Sequence, residues 1–523
     1  MPHFPSKVKI ACYYLLSVIH ASSAFSTITL KARRRCQPPS SFALNAASTS
    51  NDPNATFSPN NNPTATVKIS STLINSAIDV LEEQHFRRPD TPLDSILRNY
   101  IKRSSSDDDL QYDLDEKDAL REIILGVARS QYKIDCKLKG IGLQCTPENR
   151  VIAHVGFVAG ALKYPPELVN KLIKSYDWMQ EFKSQSIHDD FASMDLQTRF
   201  ECPDWAWPGL NEAFPTQDEL TRQLDGLLQP PPLDLRVNTL KSSKVAGRDE
   251  ALHAIQSAGF DNAKPTPWSP LGIRLDKRVP LGNLPGLLDG IVEPQDEGSQ
   301  LVAALLNAQP GEAVADYCAG TGGKTLAIAA QMQNKGRLYS LDVDGDRLER
   351  GRPRCAKAGV GNVQRQTVQA DMTRKDKWCK RRNRTFDRVL VDAPCSGVGS
   401  WRRKPDARRT WGGLGSNNVD EGVDRLKELL PLQQHILRRA ARLVKPGGRL
   451  VYVTCSLLPE ENEHQIEEFL KCDEGEVVGW KLDAPADFVV PFEAGNGHYL
   501  RLTPAQHGTD GFFAAVLRRD EEN

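Results

Sequence analysis

"DYCAGTGGKT", residues 316–325, is the stretch on which the fold turns. It follows an apolar run and leads into "LAIAAQM", so it reads as a glycine-rich turn joining a buried strand to a helix. Its glycines let the backbone approach a ligand closely, and the helix start offers N–H groups to a carboxylate or phosphate. Three cofactors compete for such a turn. A P-loop needs glycine where Cys318 stands, and a dinucleotide fingerprint finds only its first half in "GTGGKT". S-adenosylmethionine suits the turn better. The loop cradles its amino-acid tail, and an acidic residue ending the next strand holds the ribose. Asp342 in "YSLDVD" stands about twenty residues on, the expected place. Asp371 in "VQADM", after the third strand, is placed to meet the adenine amino group.

Outward from the turn the pattern is regular. "GRLYSLDVD", "NVQRQTV", "FDRVLVDAP", "RLVYVTCS" and "GFFAAVLRR" read as strands, separated by helical stretches that include a long one over residues 422–444. Strands alternating with helices predict an α/β fold with a mainly parallel, doubly wound sheet, whose ligand crevice lies outside the carboxyl ends of its strands. Two of those ends carry cysteines, Cys395 after Asp392-Ala393-Pro394 and Cys455 between Thr454 and Ser456. A lone strand-end cysteine is usually a small buried hydrophobe. Two of them beside a carboxylate and a methyl-donor loop suggest more. Cytosine carbon 5 is a poor nucleophile until a thiolate adds to carbon 6, after which it can take a methyl group and a base can release the adduct. Such a site needs a cysteine, a neighbouring carboxylate, a methyl donor and an unstacked base. The spacing does not say which cysteine attacks.

"DYCAGTGGKT", "DAPCSGVG", "WRRKPD", "VYVTCSLLPEEN" and "DGFFAAVLRR" together resemble the signature blocks of the RNA (cytosine-5)-methyltransferase family, in particular the bacterial Sun/Fmu type of ribosomal RNA enzyme and its nucleolar relatives. The resemblance spans roughly residues 200–520. It implies a Rossmann-like S-adenosylmethionine-dependent sheet and an enzyme acting on RNA, most simply ribosomal RNA, as a monomer. It implies that Cys318, Ala319, Gly320, Thr321, Gly322, Gly323 and Lys324 form the cofactor loop, with Asp342, Asp371 and Asp392 as further contacts. It makes Cys455 the nucleophile, Asp392 its catalytic neighbour and Cys395 the residue that helps the covalent adduct break down. In one place the chain departs from the pattern: Gly320-Thr321 replaces the usual Ala-Pro of the loop. Lys324 either reaches toward substrate or pairs with a carboxylate, and Glu460, Glu461 and Asn462 read as caps of the helix after Cys455, the alternative being support of the catalytic residues from behind. Transfer RNA as substrate, or a catalytically idle assembly factor, are the competing readings.

With 523 residues and a formal net charge of zero, the chain offers no global field to attract nucleic acid, so any such surface is local. "RKDKWCKRRNR" (374–384) holds seven basic residues and one acidic, and reads as a solvated face. "WRRKPDARRTW" (401–411) follows Cys395, and its Arg402, Arg403, Lys404, Arg408 and Arg409 are the expected RNA contacts. Eleven cysteines occur without a CxxC pair or zinc spacing, so no metal is expected.

Four regions follow. Residues 1–65 combine a lysine-bearing start, a short apolar run, and a Ser/Thr/Arg-rich stretch with no acidic residue before Asp52. That is a signal segment followed by a transit segment, then a polar linker; it resembles a bipartite plastid presequence, with the mitochondrion as the alternative, and no stable membrane insertion is expected. Residues 66–200 show helical periodicity, with Leu73, Ala77, Ile78 and Leu81 on one face and Leu120, Ile123, Ile124 and Val127 on another, a helical domain that could bind RNA. Residues 201–290 hold "CPDWAWPGL", read as an interdomain wedge, and a small α/β module containing "LDLRVNTL" and "GIRL". Residues 291–523 are the expected catalytic domain.

Overall fold

The computed structural model describes residues 55–57, 67–88, 91–104, 112–158, 174–179, 194–241, 247–276, 279, 281, 284–287, 289–369, 376–410, 420–471, 479–483 and 499–521. The presequence and Asp371 lie outside them. The chain divides into two compact units, Met1–Asp195 and Leu196–Asn523.

In the first unit a short antiparallel pair, β1 (Ala55–Phe57) and β2 (Val67–Ile69), precedes the helices. The stretch read as a polar linker therefore contributes a three-residue strand, and helix begins only after β2. Helix α1 (Ser71–Glu82) starts where the Ser70 side chain accepts from the Leu73 amide, and α2 (Leu93–Ser104) and α3 (Leu114–Arg129) follow. Asp113 and Glu116 form a reciprocal capping box on α3. Leu73, Ala77, Leu120, Ile123, Ile124 and Val127 are buried in one apolar core, with Ile78 packed at its edge. Three- and four-residue spacing put them on common faces, as the periodicity requires.

The second unit contains two sheets. The smaller is antiparallel, in the order β4 (Lys264–Pro265), β5 (Gly272–Leu275), β3 (Leu233–Val237), β6 (Val292–Pro294). Trp205 is buried edge-on to Trp401 at 6.0 Å between centroids, in a core that residues 200–227 share with Val398, Leu426, Leu457 and Leu458, so within this unit "CPDWAWPGL" packs the segment after residue 200 against the segment expected to be catalytic.

The larger sheet has eight strands. Its parallel part runs β9 (Val363–Thr367), β8 (Arg337–Asp342), β7 (Ala313–Tyr317), β10 (Phe386–Asp392), β11 (Val444–Thr454). β14 (Phe512–Arg519) pairs antiparallel with β11, and both β12 (Trp480–Leu482) and β13 (Tyr499–Leu502) pair antiparallel with β14. Successive residues of β10 serve opposite faces: Val389 and Val391 enter one core cluster and Leu390 the other. A strand covered on both faces must be apolar throughout, which is why it reads as an unbroken run. Strand order reverses between β7 and β10. The carboxyl ends of those two strands and of β11 carry the site.

Candidate active site

β7 ends at Tyr317, and the chain turns through left-handed backbone at Cys318 (φ 65°), Gly320 (φ 57°) and Gly322 (φ 80°) into helix α4 (Gly323–Gln331). The left-handed angle at Gly320 gives the departure from the family loop a physical meaning, because only glycine takes that angle without strain. A Cβ there would also meet the Arg347 guanidinium at 2.7 Å. Asp342, at the end of β8, accepts from the Gly320 amide at 2.8 Å and from the Asp344 amide at 2.9 Å, so it shapes the loop as well as bordering it.

The residues present suit S-adenosylmethionine. The N-cap of α4 is Gly322, which has no side chain to satisfy the first-turn amides, so these are left for an outside carboxylate. Beneath the loop lies Asp316, which the sequence reading passed over. It is fully buried; one oxygen accepts from the Thr325 hydroxyl at 2.5 Å, and Oδ1 has no partner. Desolvation, offset in part by the Thr325 bond and by Lys324, pushes its carboxyl up to about 7. An unpartnered carboxyl oxygen there can accept from an ammonium group, whose positive charge would favour the ionised form. The signal available in the sequence was an aspartate interrupting an apolar strand.

β10 and β11 run parallel with Asp392 opposite Val453, which sets the cysteines that follow side by side. Their sulfurs are 3.2 Å apart, and the Cys455 amide donates to Cys395 Sγ at 3.3 Å. The pair is unequal. A hydrogen bond from Cys395 lowers the Cys455 thiol below its ordinary range against the opposing effects of burial and Asp392, with Lys404 and Lys324 assisting. Cys395 is pushed well above its range by that same bond and by burial, with Glu461 adding to it. Lys324 donates to Asp392 Oδ2 at 2.8 Å, so of its two expected roles it takes the pairing one. Burial pulls its ammonium down, but Asp392 outweighs that and the net shift is upward.

Glu461 and Asn462 take the alternative role, bracing the cysteine segments rather than capping the helix. Asn462 makes no side-chain cap bond to its helix, α5 (Glu463–Leu470). Its side chain instead accepts from Thr454 Oγ1 at 2.5 Å and donates to the Ser456 carbonyl at 3.1 Å, bracing both neighbours of Cys455. Glu461 does the same for the Cys395 loop, accepting from the Ser396 amide at 2.7 Å. A further seam joins three segments through backbone alone: the Gly399 amide donates to the Cys455 carbonyl at 3.0 Å, and the Gly511 amide to the Gly399 carbonyl at 2.8 Å. A Cβ on Gly399 would lie 2.3 Å from the Gly511 oxygen.

The basic run after Cys395 divides. Arg402 is buried on Asp510 and Asp296, at 2.6 and 3.5 Å, and Arg408 is 1% exposed, donating to the Leu227 carbonyl and lying over Trp401. Neither presents its charge to a polynucleotide, so the expectation of RNA contacts is corrected for these two. Arg403 is half-buried on the same two carboxylates, Arg409 is half-buried, and Lys404 is exposed. In the other run Arg382 stacks 4.1 Å over Trp378. Among the described residues no group of acidic, histidine or cysteine side chains is arranged to hold a metal, and no helix is long and apolar enough to cross a membrane.

The family described as 16S rRNA methyltransferase RsmB/F matches residues 303–518, and the RsmF/B-like ferredoxin-like domain matches residues 202–282. A protein named probable ribosomal RNA small subunit methyltransferase B, from Synechocystis sp., is 32% identical over 431 residues, covering 76% of this chain and 90% of its own. Ribosomal RNA small subunit methyltransferase B of Salmonella paratyphi C is 35% identical over 328 residues, 62% of this chain and 70% of its own. Among solved structures, that of PH0851 superposes with a TM-score of 0.65 at 25% identity over 87% of this chain and 99% of its own. NSun6 from Pyrococcus horikoshii with SFG shares the fold, with a TM-score of 0.51 at 20% identity over 62% of this chain and the whole of its own.

Proposed function

The chain belongs to the 16S rRNA methyltransferase RsmB/F family, and on that premise we propose that it methylates carbon 5 of a cytosine in ribosomal RNA. The observation that carries this is the thiol pair, two sulfurs 3.2 Å apart beside a lysine-held carboxylate, with Cys455 lowered and Cys395 raised from the ordinary thiol range. S-adenosylmethionine, held by residues 318–324 with Asp316 and Asp342, supplies an electrophilic methyl group.

Cys455 as thiolate adds to carbon 6; the C–S bond forms and the ring electrons move to carbon 5, which takes the methyl group. Removal of the carbon-5 proton restores the double bond and expels the Cys455 thiolate, a release that Cys395 assists. Asp392, with Oδ2 fixed by Lys324, steadies the flipped base by accepting from its amino group. Lys404, with Arg403 and Arg409 behind it, meets the phosphates, and the helical unit adds RNA affinity.

The apolar and basic character of residues 1–45 supports delivery to a plastid, with organellar ribosomal RNA as substrate. Labelled S-adenosylmethionine with organellar ribosomal RNA tests the activity, and bisulfite sequencing of that RNA with and without the protein locates the cytosine. Full transfer to transfer RNA with none to ribosomal RNA would overturn the substrate, and no transfer to either would overturn the activity.

A further inference from the structure

With Arg402 and Arg408 turned inward, the run after Cys395 keeps Lys404 as its one exposed cation among the described residues. The other basic run, expected to be a solvated face, presents far more charge. Residues 376–384 hold five cations, Lys377, Lys380, Arg381, Arg382 and Arg384, against the single anion Asp376. Lys377, Lys380 and Arg381 are exposed and pair with no carboxylate among the described residues. Elsewhere on the surface, Arg222, Arg352 and Lys427 each pair with an acid three residues away on their own helix, the usual state of a solvated face.

Nearby acids are turned to other tasks. Asp376 caps the short helix Lys377–Arg381, accepting from the Trp378 and Cys379 amides at 2.8 and 2.9 Å and from the Gln369 amide at 2.6 Å. Asp387 accepts from the Ala313 amide at 2.9 Å and pairs with Lys445. The fold then adds cations that the run itself lacks. The Arg384 amide donates to the Arg442 carbonyl at 2.9 Å, which sets two exposed arginines side by side just past the helix Asp420–Ala441. In a chain of zero net charge, such a concentration is a local field for a polyanion.

The chemistry of the face selects phosphates rather than bases. Trp378 packs on Tyr339 and Phe386, and Arg382 lies 4.1 Å over its ring, so that aromatic is committed to the fold. No large apolar side chain is exposed beside these cations among the described residues, as entry into a lipid surface would need. The face is also remote from the thiols. Arg384 precedes the start of β10, and at ~3.3 Å per residue the strand Phe386–Asp392 places the carboxylate about 20 Å farther on.

We propose that Lys377, Lys380 and Arg381, with Arg384 and Arg442 beside them, form a second RNA-binding face that grips the phosphate backbone of the ribosomal RNA well away from the target cytosine. This rests on ribosomal RNA being the substrate.

The test is filter binding of the full chain to a small-subunit ribosomal RNA transcript between about 50 and about 200 mM salt, beside methyl-transfer kinetics on the same RNA. The variant carries Lys377→Ala, Lys380→Ala and Arg381→Ala together; alanine favours helix and the positions are exposed, so it folds as the parent does. Its plot of log affinity against log salt flattens by about two to three, since each lost phosphate contact takes ~0.7–0.9 from the slope. Affinity at about 100 mM salt falls roughly tenfold or more, and KM for RNA rises with it. At saturating RNA kcat stays at the parent's value, as does the affinity for S-adenosylmethionine. A solvated face would move neither the slope nor KM, so a variant with the parent's values of both overturns the proposal. So does unchanged RNA binding with lost binding to vesicles of anionic phospholipid, which would assign the face to a membrane. A parent that neither binds nor methylates ribosomal RNA overturns instead the substrate reading beneath it.

Discussion

Cys395 and Cys455 stand with their sulfurs 3.2 Å apart, and the one that ionises more readily is the one that attacks. Cys455→Ala is expected to abolish both methyl transfer and the covalent protein–RNA species. Cys395→Ala is expected to lose turnover yet accumulate that species, visible as a slow band on a denaturing gel. An adduct in Cys455→Ala would reverse the roles. Asp316 provides a second residue-scale prediction. Its folded carboxyl stands at about 7, above the ordinary 3.8. The stability this favours is full below pH 3.8 and is lost as pH rises through about 7, where ionising the buried group costs up to about 4 kcal/mol. Asp316→Asn cannot ionise. In the protein without cofactor, its Tm relative to the parent should therefore become more positive between about pH 5 and about pH 8.5. A difference independent of pH would show that Asp316 is ionised throughout.

At the scale of elements, the segment after Cys395 shows how charge in a sequence misleads. "WRRKPDARR" reads as one basic stripe, yet Arg402 and Arg408 point inward while Lys404 stays outside. Arg402 and Arg403 fasten this segment to Asp296 and to Asp510, which immediately precedes Gly511 of the glycine seam. Removing Arg402 leaves two buried carboxylates short of a partner, so Arg402→Ala should cost about 3–5 kcal/mol in denaturant unfolding. Lys404→Ala should leave stability within about 0.5 kcal/mol and weaken RNA binding with a shallower salt dependence. Equal unfolding curves for the two variants would contradict the division. The strands were legible because β10 and β11 are apolar on both faces. The antiparallel setting of β14 was not, since a strand's direction in a sheet leaves no mark on its own alternation.

At the scale of the molecule, every described residue assigned to the site lies in Leu196–Asn523, which has its own cores. A chain of residues 196–523 should melt cooperatively and bind S-adenosylmethionine with parent affinity, while its RNA affinity falls, as calorimetry and filter binding would show. Loss of cofactor binding in a folded fragment would mean that residues 1–195 complete the site. By itself the sequence determined the α/β alternation, the glycine turn, the two strand-end cysteines and their family blocks. Those are local patterns, fixed by periodicity and by residues adjacent in the chain. Only the tertiary structure decided that Arg402 and Arg408 are internal struts, that Asp316 lies beneath the loop with one oxygen unpartnered, and that Glu461 is buried against Ser396. Those facts depend on partners far apart in sequence, from Glu461 and Ser396 to Arg408 and Leu227. Packing chooses such partners, and with them the field at each sulfur.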